Sequence, residues 1–303
     1  MNSQITAAFS ATGPLAKAHA NYKPREAQTE MAQAIANAMS ANTTLVAEAG
    51  TGTGKTYAYL VPALLNGGRV LISTGTKTLQ DQLFERDIPA VRAAFPVPVA
   101  VALLKGRANY VCHHHLERAI AEGRLASRDD VARLHEIAAF AKSSVSGDKA
   151  ECADISDDSP VWKQVTSTRE NCLGTECSHH DKCFVVNARK AAMDAEIVVV
   201  NHHLFFADLA LKDEGVAELL PAANAVIFDE AHKLPDAASL FFGEQLTSGQ
   251  LLELARDVEF TVRAQAKDAV DVIDHANGVG LAVRKMRLTL GTLTIKNPHA
   301  EVL

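Results

Sequence analysis

A glycine-rich loop at residues 48–56 constrains this sequence most. It reads Glu-Ala-Gly-Thr-Gly-Thr-Gly-Lys-Thr, follows a β-branched run at 43–46 and precedes a helix-like segment at 57–65. A strand, a glycine-rich turn and a helix form the setting of a phosphate-binding loop. Backbone N–H groups of such a loop point at phosphate oxygens, and the helix adds its positive dipole end. The sequence therefore predicts a strand at 43–46 and a nucleoside triphosphate on the loop.

Two side chains of the loop carry its chemistry. Lys55 supplies a flexible positive charge for the β- and γ-phosphates, and the Thr56 hydroxyl can ligate Mg²⁺. The general pattern has Gly at the first loop position, where this chain has Ala49. A simple Gly/Thr-rich turn is the alternative interpretation. The predicted nucleotide-binding residues of the loop are Ala49, Gly50, Thr51, Gly52, Thr53, Gly54, Lys55 and Thr56.

The composition is that of an ordinary globular protein. The 303 residues are 48% hydrophobic and 22% charged, and this length can hold two domains. With 30 basic and 36 acidic residues the formal charge is −6, so any contact with DNA has to come from a local basic groove. The first 22 residues lack the order of a signal peptide, and no apolar run approaches the roughly 18 residues of a membrane span. The cytosol is the expected location, with no membrane partner.

The segment upstream of the loop begins a predicted helix. Tyr-Lys-Pro-Arg-Glu-Ala-Gln at 22–28 opens this helix, which we expect to run to about Met39 with Pro24 in its first turn. A glutamine amide here can pair with an adenine edge, and a tyrosine can stack on the ring. Tyr22, Arg25 and Gln28 are therefore candidates for nucleotide binding, although a simple helix start is the alternative. Residues 1–20 are small and polar, and we expect them to be poorly ordered.

Polar residues follow a second predicted strand, at 69–73. The turn at 74–78 leads into a helix and contains Thr74, Thr76 and Lys77. Hydroxyls and backbone N–H groups at a helix N-terminus suit a phosphate of a nucleic-acid backbone. They equally suit capping of the helix, so both interpretations stay open. A third strand is predicted at 97–104, where β-branched residues dominate.

Four of the five cysteines are candidate metal ligands. Cys172, Cys177 and Cys183 follow a Cys-x₄-Cys-x₅-Cys spacing, and Cys112 precedes them. Without an export signal, thiols grouped in this way indicate a metal site more than a disulfide framework. Spacing alone leaves iron–sulfur and zinc open. Neighbouring histidines at 113–115, 179 and 180 also leave a mixed zinc site open, although we interpret them as solvated loop residues.

An acidic motif follows the last predicted strand. A buried strand is predicted at 197–200 and a further strand at 225–228, and the second ends in Asp-Glu-Ala-His at 229–232. An Asp in this position holds the Mg²⁺ shell, and a neighbouring Glu can polarise the attacking water. Helix capping is the alternative. The candidate catalytic residues are Lys55, Asp229, Glu230 and His232, and the candidate magnesium ligands are Thr56 and Asp229.

Together these features resemble the XPD/DinG iron–sulfur helicases of superfamily 2. The resemblance rests on the loop at 49–56, the motif at 229–232, Gln28 and the four-cysteine insertion between the two motifs. It spans roughly residues 20–290. Lys-Gly-Arg-Ala-Asn-Tyr-Val-Cys at 105–112 and Val-Val-Asn-His-His-Leu at 199–204 favour the bacterial YoaA-type branch. The resemblance also implies that Ala49 is no defect, since this helicase class commonly has Ala there.

The resemblance implies an α/β architecture. It consists of a RecA-like P-loop NTPase domain, with a parallel sheet flanked by helices, an inserted iron–sulfur domain and a partial helical arch. The expected division is 1–104 and 184–240 for the two parts of the first helicase domain, 105–183 for the insert and 241–303 for the arch. The family also has a second RecA-like domain that supplies an arginine finger. We expect this chain to lack that domain, to hydrolyse ATP poorly, if at all, and not to unwind DNA by itself.

The resemblance also implies cofactors and partners. It assigns Cys112, Cys172, Cys177 and Cys183 to a [4Fe–4S] cluster, leaves Cys152 as a spare, and adds ATP with Mg²⁺. It implies 5′→3′ travel on single-stranded or forked DNA in bacterial repair or replication, with the cluster domain as a wedge and replication or repair proteins as partners. The alternative is a non-motor module that binds ATP, DNA or other proteins. The predicted DNA contacts are Thr74, Thr76, Lys77, Lys105 and Arg107.

Overall fold

Four parallel strands form the sheet in the order β2-β3-β1-β4. They are β1 (Val70–Thr74), β2 (Val101–Leu103), β3 (Ile197–Asn201) and β4 (Ala225–Phe228). In register, Val70 pairs with both Ile197 and Ala225, and Val101 pairs with Ile197. Every residue of β1 and β3 is buried, as expected for inner strands that carry helices on both faces.

The computed structural model describes residues 2–290 apart from 124, 126, 214, 216–218, 244–246, 267 and 270. Residues Leu83–Asp87 form a π-helical turn. The α-helices are α1 (Asn2–Ala8), α2 (Pro14–Ala18), α3 (Glu26–Ala41), α4 (Lys55–Asn66), α5 (Lys77–Gln82), α6 (Ile88–Ala94), α7 (His113–Glu122), α8 (Arg128–Ser143), α9 (Trp162–Val165), α10 (Phe184–Asp194), α11 (His202–Asp213), α12 (Leu234–Phe242), α13 (Ser248–Gln265) and α14 (Asp271–Leu290).

The strand predicted at 43–46 is wrong. These residues are not helical, but they belong to none of the strands of the sheet, and 91% of Val46 is exposed. β-branched residues favour an extended backbone, but a strand forms only where a neighbour offers its own N–H and C=O groups. The other predicted strands are confirmed, although β2 is shorter than the predicted 97–104.

The N-terminal segment is ordered, contrary to the prediction for residues 1–20. Helices α1 and α2 place Ile5, Phe9 and Leu15 in the main core, where each is no more than 1% exposed. The large apolar side chains in an otherwise small and polar segment supply this burial. Helix α3 begins at Glu26, so Pro24 precedes the helix rather than lying in its first turn.

The segment 105–183 has a hydrophobic core of its own. This core is separate from the core of the sheet and extends into the first residues of α10. Ile137 and Val165 are fully buried in it. The core consists of Tyr110, Val111, Leu116, Ala119, Leu134, Ile137, Ala141, Ile155, Val161, Trp162, Val165, Phe184 and Val185.

We expect Gly147→Ala to destabilise this segment far more than Gly123→Ala. Both glycines have positive φ angles, +65° and +60°, which cost about 1–2 kcal/mol for an alanine. A Cβ at Gly147 would also collide with the Phe184 ring, whereas a Cβ at Gly123 would meet nothing within 4 Å. Such overpacking adds roughly 1–3 kcal/mol. Urea unfolding of both variants measures the difference, and equal losses would contradict the proposed steric cause.

Residues 242–303 form a second compact unit, distinct from residues 1–241. Its described helices are α13, which begins with a capping box between Thr247 and Gln250, and α14. The end of the predicted arch, at 291–303, lies outside the described residues. In the part of the chain that the structure describes, no helix is long and apolar enough to cross a membrane.

Candidate nucleotide site and cysteine cluster

The glycine-rich loop has the backbone that its sequence predicts. Gly52 and Gly54 have φ angles of +78° and +83°, and helix α4 begins directly after them at Lys55. Thr53 donates its hydroxyl hydrogen to the Gly50 carbonyl at 2.9 Å, which closes the turn. The positive φ angles explain why glycine occupies both positions. The first turn of α4 therefore presents Lys55 and Thr56 beside the loop, as a phosphate site requires.

The three upstream candidates also lie at this loop. The Arg25 guanidinium donates to the Gly52 carbonyl, and the Gln28 amide donates to the Gly54 carbonyl at 2.9 Å. Tyr22 donates to the Gln28 side-chain oxygen at 3.4 Å. A Cβ at Gly54 would run into the Gln28 amide, so glycine is needed there for space as well as for φ. The prediction that Gln28 pairs with adenine stays a prediction, since its amide holds the loop here.

The acidic motif lies at the end of β4, opposite the loop. Burial raises the pKa of Asp229 and the neighbouring Glu230 charge adds to this rise, while Lys55 opposes it. Glu230 has the left-handed backbone φ 57°, ψ 45°, which costs a non-glycine residue on the order of 1–3 kcal/mol. His232 is exposed and places Nδ1 3.4 Å from Glu230 Oε2. Strain of this kind is typical of functional sites.

Tyr59 joins the two halves of the site, and the sequence analysis missed it. Its hydroxyl donates to Asp229 Oδ2 at 3.2 Å, and burial raises the pKa of Tyr59 well above its usual range. The phenol therefore stays protonated and orients one carboxylate oxygen. Its position four residues after Lys55, on the same face of α4, was the one available signal. The partner of that face could not be read from the sequence.

The loop predicted to contact DNA connects β1 to α5. Thr76 accepts a hydrogen bond from the Leu79 N–H at 3.2 Å and so caps α5. The Thr74 side chain is buried and donates to the Thr76 carbonyl at 3.1 Å. Lys77 is exposed. Both threonine hydroxyls thus serve the local turn, and Lys77 is the charged group that this loop offers to solvent.

Lys105 does not fit its predicted role as a DNA contact. Its side chain is 2% exposed, and its ammonium lies 2.5 Å from Asp81 and 2.6 Å from Asp148. Burial alone would lower the pKa of Lys105, but hydrogen bonds to Asp148 and Asp81 outweigh burial and raise it. An ammonium held in this way is not available to a phosphate. Lys105 instead connects the insert to helix α5, because its ammonium pairs with Asp148 of the insert and with Asp81 of α5.

Arg107 also points inward. Its guanidinium donates to Cys172 Sγ at 2.7 Å. A second cation, Arg189 on α10, interacts electrostatically with Cys172 and Cys183, and burial together with Arg107 lowers the Arg189 pKa. The two arginines therefore place positive charge at the cysteines.

Charge interactions connect the four predicted ligand cysteines. Burial raises the pKa of Cys112, and the charges of Cys183 and Cys177 are near enough to add to the rise. Cys172 and Cys183 both interact electrostatically with Arg189. All four thiols are free of disulfides and half-buried.

Among the described residues, no three or more His, Cys, Asp or Glu side chains form a group that could hold one metal ion. A tetrahedral zinc needs sulfurs about 2.3 Å from one centre. An iron–sulfur cluster separates its thiolates by its own iron and sulfide atoms, so it accepts cysteines that lie further apart. The iron–sulfur cluster therefore stays a prediction.

Cys152 has a different environment. It packs against the core of the insert, and burial together with four acidic neighbours raises its pKa to about 11. At neutral pH this thiol stays protonated, whereas a metal ligand has to be a thiolate. That Cys152 is a spare stays a prediction.

Comparisons with known proteins give the chain its family. The sequence model of the DEAD/DEAH box helicase family matches residues 26–108. The chain is 47% identical to the ATP-dependent DNA helicase YoaA of Haemophilus influenzae, over 95% of this chain and 45% of the relative. It is 49% identical to the YoaA helicase of Escherichia coli, over 99% of this chain and 47% of the relative.

A third relative, the ATP-dependent helicase DinG of Mycobacterium tuberculosis, is 36% identical over 81% of this chain and 40% of its own length. The chain thus spans a little under half the length of the curated relatives it matches. The matches to YoaA cover the phosphate loop, the acidic motif and the cysteine segment alike, because they extend over nearly all of the chain. With its phosphate loop and acidic motif joined through Tyr59, the chain belongs to the YoaA/DinG family of ATP-dependent DNA helicases.

Proposed function

We propose that this chain carries the nucleotide-binding half of an ATP-dependent helicase motor that moves 5′→3′ on single-stranded DNA in repair or replication. The observation that carries the proposal is the junction of the phosphate loop with the acidic motif through Tyr59 and Asp229. Both halves of a magnesium–phosphate site meet there, one from the start of α4 and one from the end of β4. The carboxyl edge of a parallel sheet is where α/β folds bind nucleotides.

The residues divide the chemistry between them. Backbone N–H groups of the loop and the Lys55 ammonium hold the β- and γ-phosphates, while Thr56 and Asp229 hold Mg²⁺. Glu230 orients and polarises the attacking water, and His232 lies beside its carboxylate. Tyr59 keeps Asp229 in position. ATP and Mg²⁺ are therefore the proposed cofactors of this site.

The proposed DNA surface starts at Lys77. This lysine is exposed at the end of the loop 74–78, whereas Lys105 and Arg107 are engaged with Asp81, Asp148 and Cys172. The partner is single-stranded or forked DNA, bound mainly through phosphates. With a net charge of −6 the protein has no broad positive field, so only a few phosphates are neutralised.

Binding of single-stranded DNA at increasing salt tests this surface. We expect Lys77→Ala to weaken binding and to reduce the salt slope by about one charge. Lys17→Ala, at an exposed lysine of α2, is the matched control and should leave the slope unchanged. Lys105→Ala should instead destabilise the fold by about 3–5 kcal/mol, because it leaves the buried Asp148 and the half-buried Asp81 without their cation. A folded Lys105→Ala protein with specifically weakened DNA binding would overturn this assignment.

Hydrolysis of ATP tests the function as a whole. By itself the chain is expected to hydrolyse ATP poorly and not to unwind DNA. Joined to the second RecA-like domain that the family has, it should hydrolyse ATP faster with single-stranded DNA, and it should unwind a partial duplex with a 5′ overhang in preference to one with a 3′ overhang. Hydrolysis that ignores DNA would refute the motor, and the opposite overhang preference would refute the proposed direction of travel.

The four cysteines are proposed to hold a [4Fe–4S] cluster. The resemblance to the iron–sulfur helicases, the charge interactions among the cysteines and the neighbouring Arg107 and Arg189 support this proposal. Bound there, a cluster would cross-link segments far apart in the chain and stiffen the insert. The two guanidinium groups supply positive charge against thiolate ligands, and Arg107 fixes the orientation of Cys172.

A further inference from the structure

His202 occupies the place where three strands end. It follows β3 as the first residue of α11, and it is 1% exposed. Its Nδ1 lies 2.7 Å from Ser73 Oγ, near the end of the adjacent strand β1. Its ring lies 6.1 Å from that of Phe228, the last residue of β4. Nothing in the catalytic scheme above uses this buried histidine.

Ser73 connects His202 to two functional segments. It immediately precedes the loop 74–78, on which the proposed DNA contact Lys77 lies. Its own carbonyl accepts the Asp229 N–H at 2.8 Å. A movement of the loop therefore shifts Ser73 and both of its hydrogen-bond partners. These are His202, bonded to the Ser73 hydroxyl, and Asp229, bonded to the Ser73 carbonyl.

The other ring nitrogen of His202 is buried and makes no hydrogen bond within the described part of the chain. The backbone of Glu230 and Asp229 lies close enough to the ring to affect its protonation, although burial dominates and lowers the pKa of His202. Ser73 and Nδ1 share one hydrogen bond, so Nε2 is the ring nitrogen left without a partner, as a donor or an acceptor according to the tautomer. A buried polar atom without a partner is costly, so a small shift of this backbone toward Nε2 would be stabilised by a new hydrogen bond.

Glu230 is the residue that such a shift would move. Its backbone is left-handed, and its N–H donates to Oδ1 of the preceding residue, Asp229, at 3.1 Å. The loop also touches it directly: a Cβ at Gly75 would lie 3.3 Å from Glu230 Cβ and 2.7 Å from Lys233 Cδ. Glycine at position 75 therefore lets the loop pack against the catalytic glutamate.

We propose that His202 is a positioning residue that couples the loop 73–78 to Glu230, so that DNA on the loop sets the conformation in which Glu230 acts on water. This inference rests on the proposed function, which assigns DNA binding to the loop and the attack of water to Glu230. The connection itself consists of Ser73, the His202 ring and the backbone of Asp229 and Glu230. Substrate and metal touch none of the His202 ring atoms in this scheme.

Stimulation of ATP hydrolysis by DNA tests the coupling. His202→Asn places an amide near Nδ1 and His202→Gln places one near Nε2, so each variant keeps one half of the connection. We expect both to bind nucleotide and single-stranded DNA as the unsubstituted protein does, but to lose about tenfold in DNA stimulation, within the range typical of coupled sites. His203→Asn, at the exposed neighbour on the same helix, is the control and should keep full stimulation. Folded His202 variants with unchanged stimulation would overturn the inference.

A measurement on the ring itself separates this inference from the proposed function. In protein labelled with ¹⁵N-histidine, oligothymidylate added without nucleotide should shift the His202 ring resonances, which the His202→Asn spectrum assigns. Ser73→Ala should abolish the shift. Resonances that ignore DNA bound at Lys77 would refute the coupling even if DNA stimulates hydrolysis. A shift in a protein that never hydrolyses ATP would refute the proposed motor and support the connection.

Discussion

In a protein that also has the second motor domain, Glu230→Gln should leave nucleotide binding intact and reduce ATP hydrolysis by about 10²–10⁴-fold, the range typical of a lost general base. Glu230 acts on the attacking water, so its contribution is made in the transition state and not in the bound ground state. Lys55→Ala should behave in the opposite way, because the Lys55 ammonium touches the phosphates as soon as ATP binds. Its loss should therefore appear as lost nucleotide affinity.

Fluorescent-nucleotide binding and steady-state hydrolysis measured on the same preparations separate the two roles. Glu85→Gln, at an exposed glutamate of the π-helical turn, is a suitable control and should change neither quantity. If Glu230→Gln and Lys55→Ala lost nucleotide affinity to the same extent, the division of roles would be wrong.

Cys172→Ser should remove the metal centre of the insert altogether. Anaerobically purified protein is expected to be brown and to contain four iron atoms and acid-labile sulfide, the composition of the proposed cluster. Cys172 contributes one of four thiolates and is held by Arg107 at 2.7 Å, so its replacement removes a fixed ligand. Iron and sulfide analysis together with visible absorption measure the loss.

Cys152→Ser is the matched control for this experiment. Because the Cys152 pKa is raised to about 11, its thiol is protonated at neutral pH, and its replacement should leave iron content unchanged. Colourless protein with one stoichiometric zinc would refute the cluster. Iron lost equally from both variants would refute the assignment of Cys152 as a spare.

Much of the nucleotide site could be predicted because its signals are local. The glycine loop at 50–54 needs positive φ angles at two of its glycines, and this requirement is visible in the residues themselves. Apolar runs at 197–200 and 225–228 specify strands, and an acidic pair at the end of such a run falls at the carboxyl edge of the sheet. In each case the information lies within a few residues.

The residues that were misjudged depend on partners far away in the chain. Lys105 has the charge of a DNA contact, but Asp81 and Asp148, on either side of it in sequence, bury and neutralise it. The β-branched run at 43–46 has the composition of a strand, but no strand of the sheet pairs with it. Charge and propensity are properties of a residue, whereas pairing and burial are properties of its neighbours in space.

By itself the sequence determined the family, the phosphate loop, the acidic motif and the four candidate cysteines, because these follow from residue type and local spacing. Only the tertiary structure decided that Tyr59 orients Asp229 and that His202 links Ser73 to the Glu230 backbone. Those contacts join the ends of parallel strands, which are brought together only when the sheet forms. A hydrogen bond requires its two atoms within about 3 Å, and sequence spacing does not contain that distance.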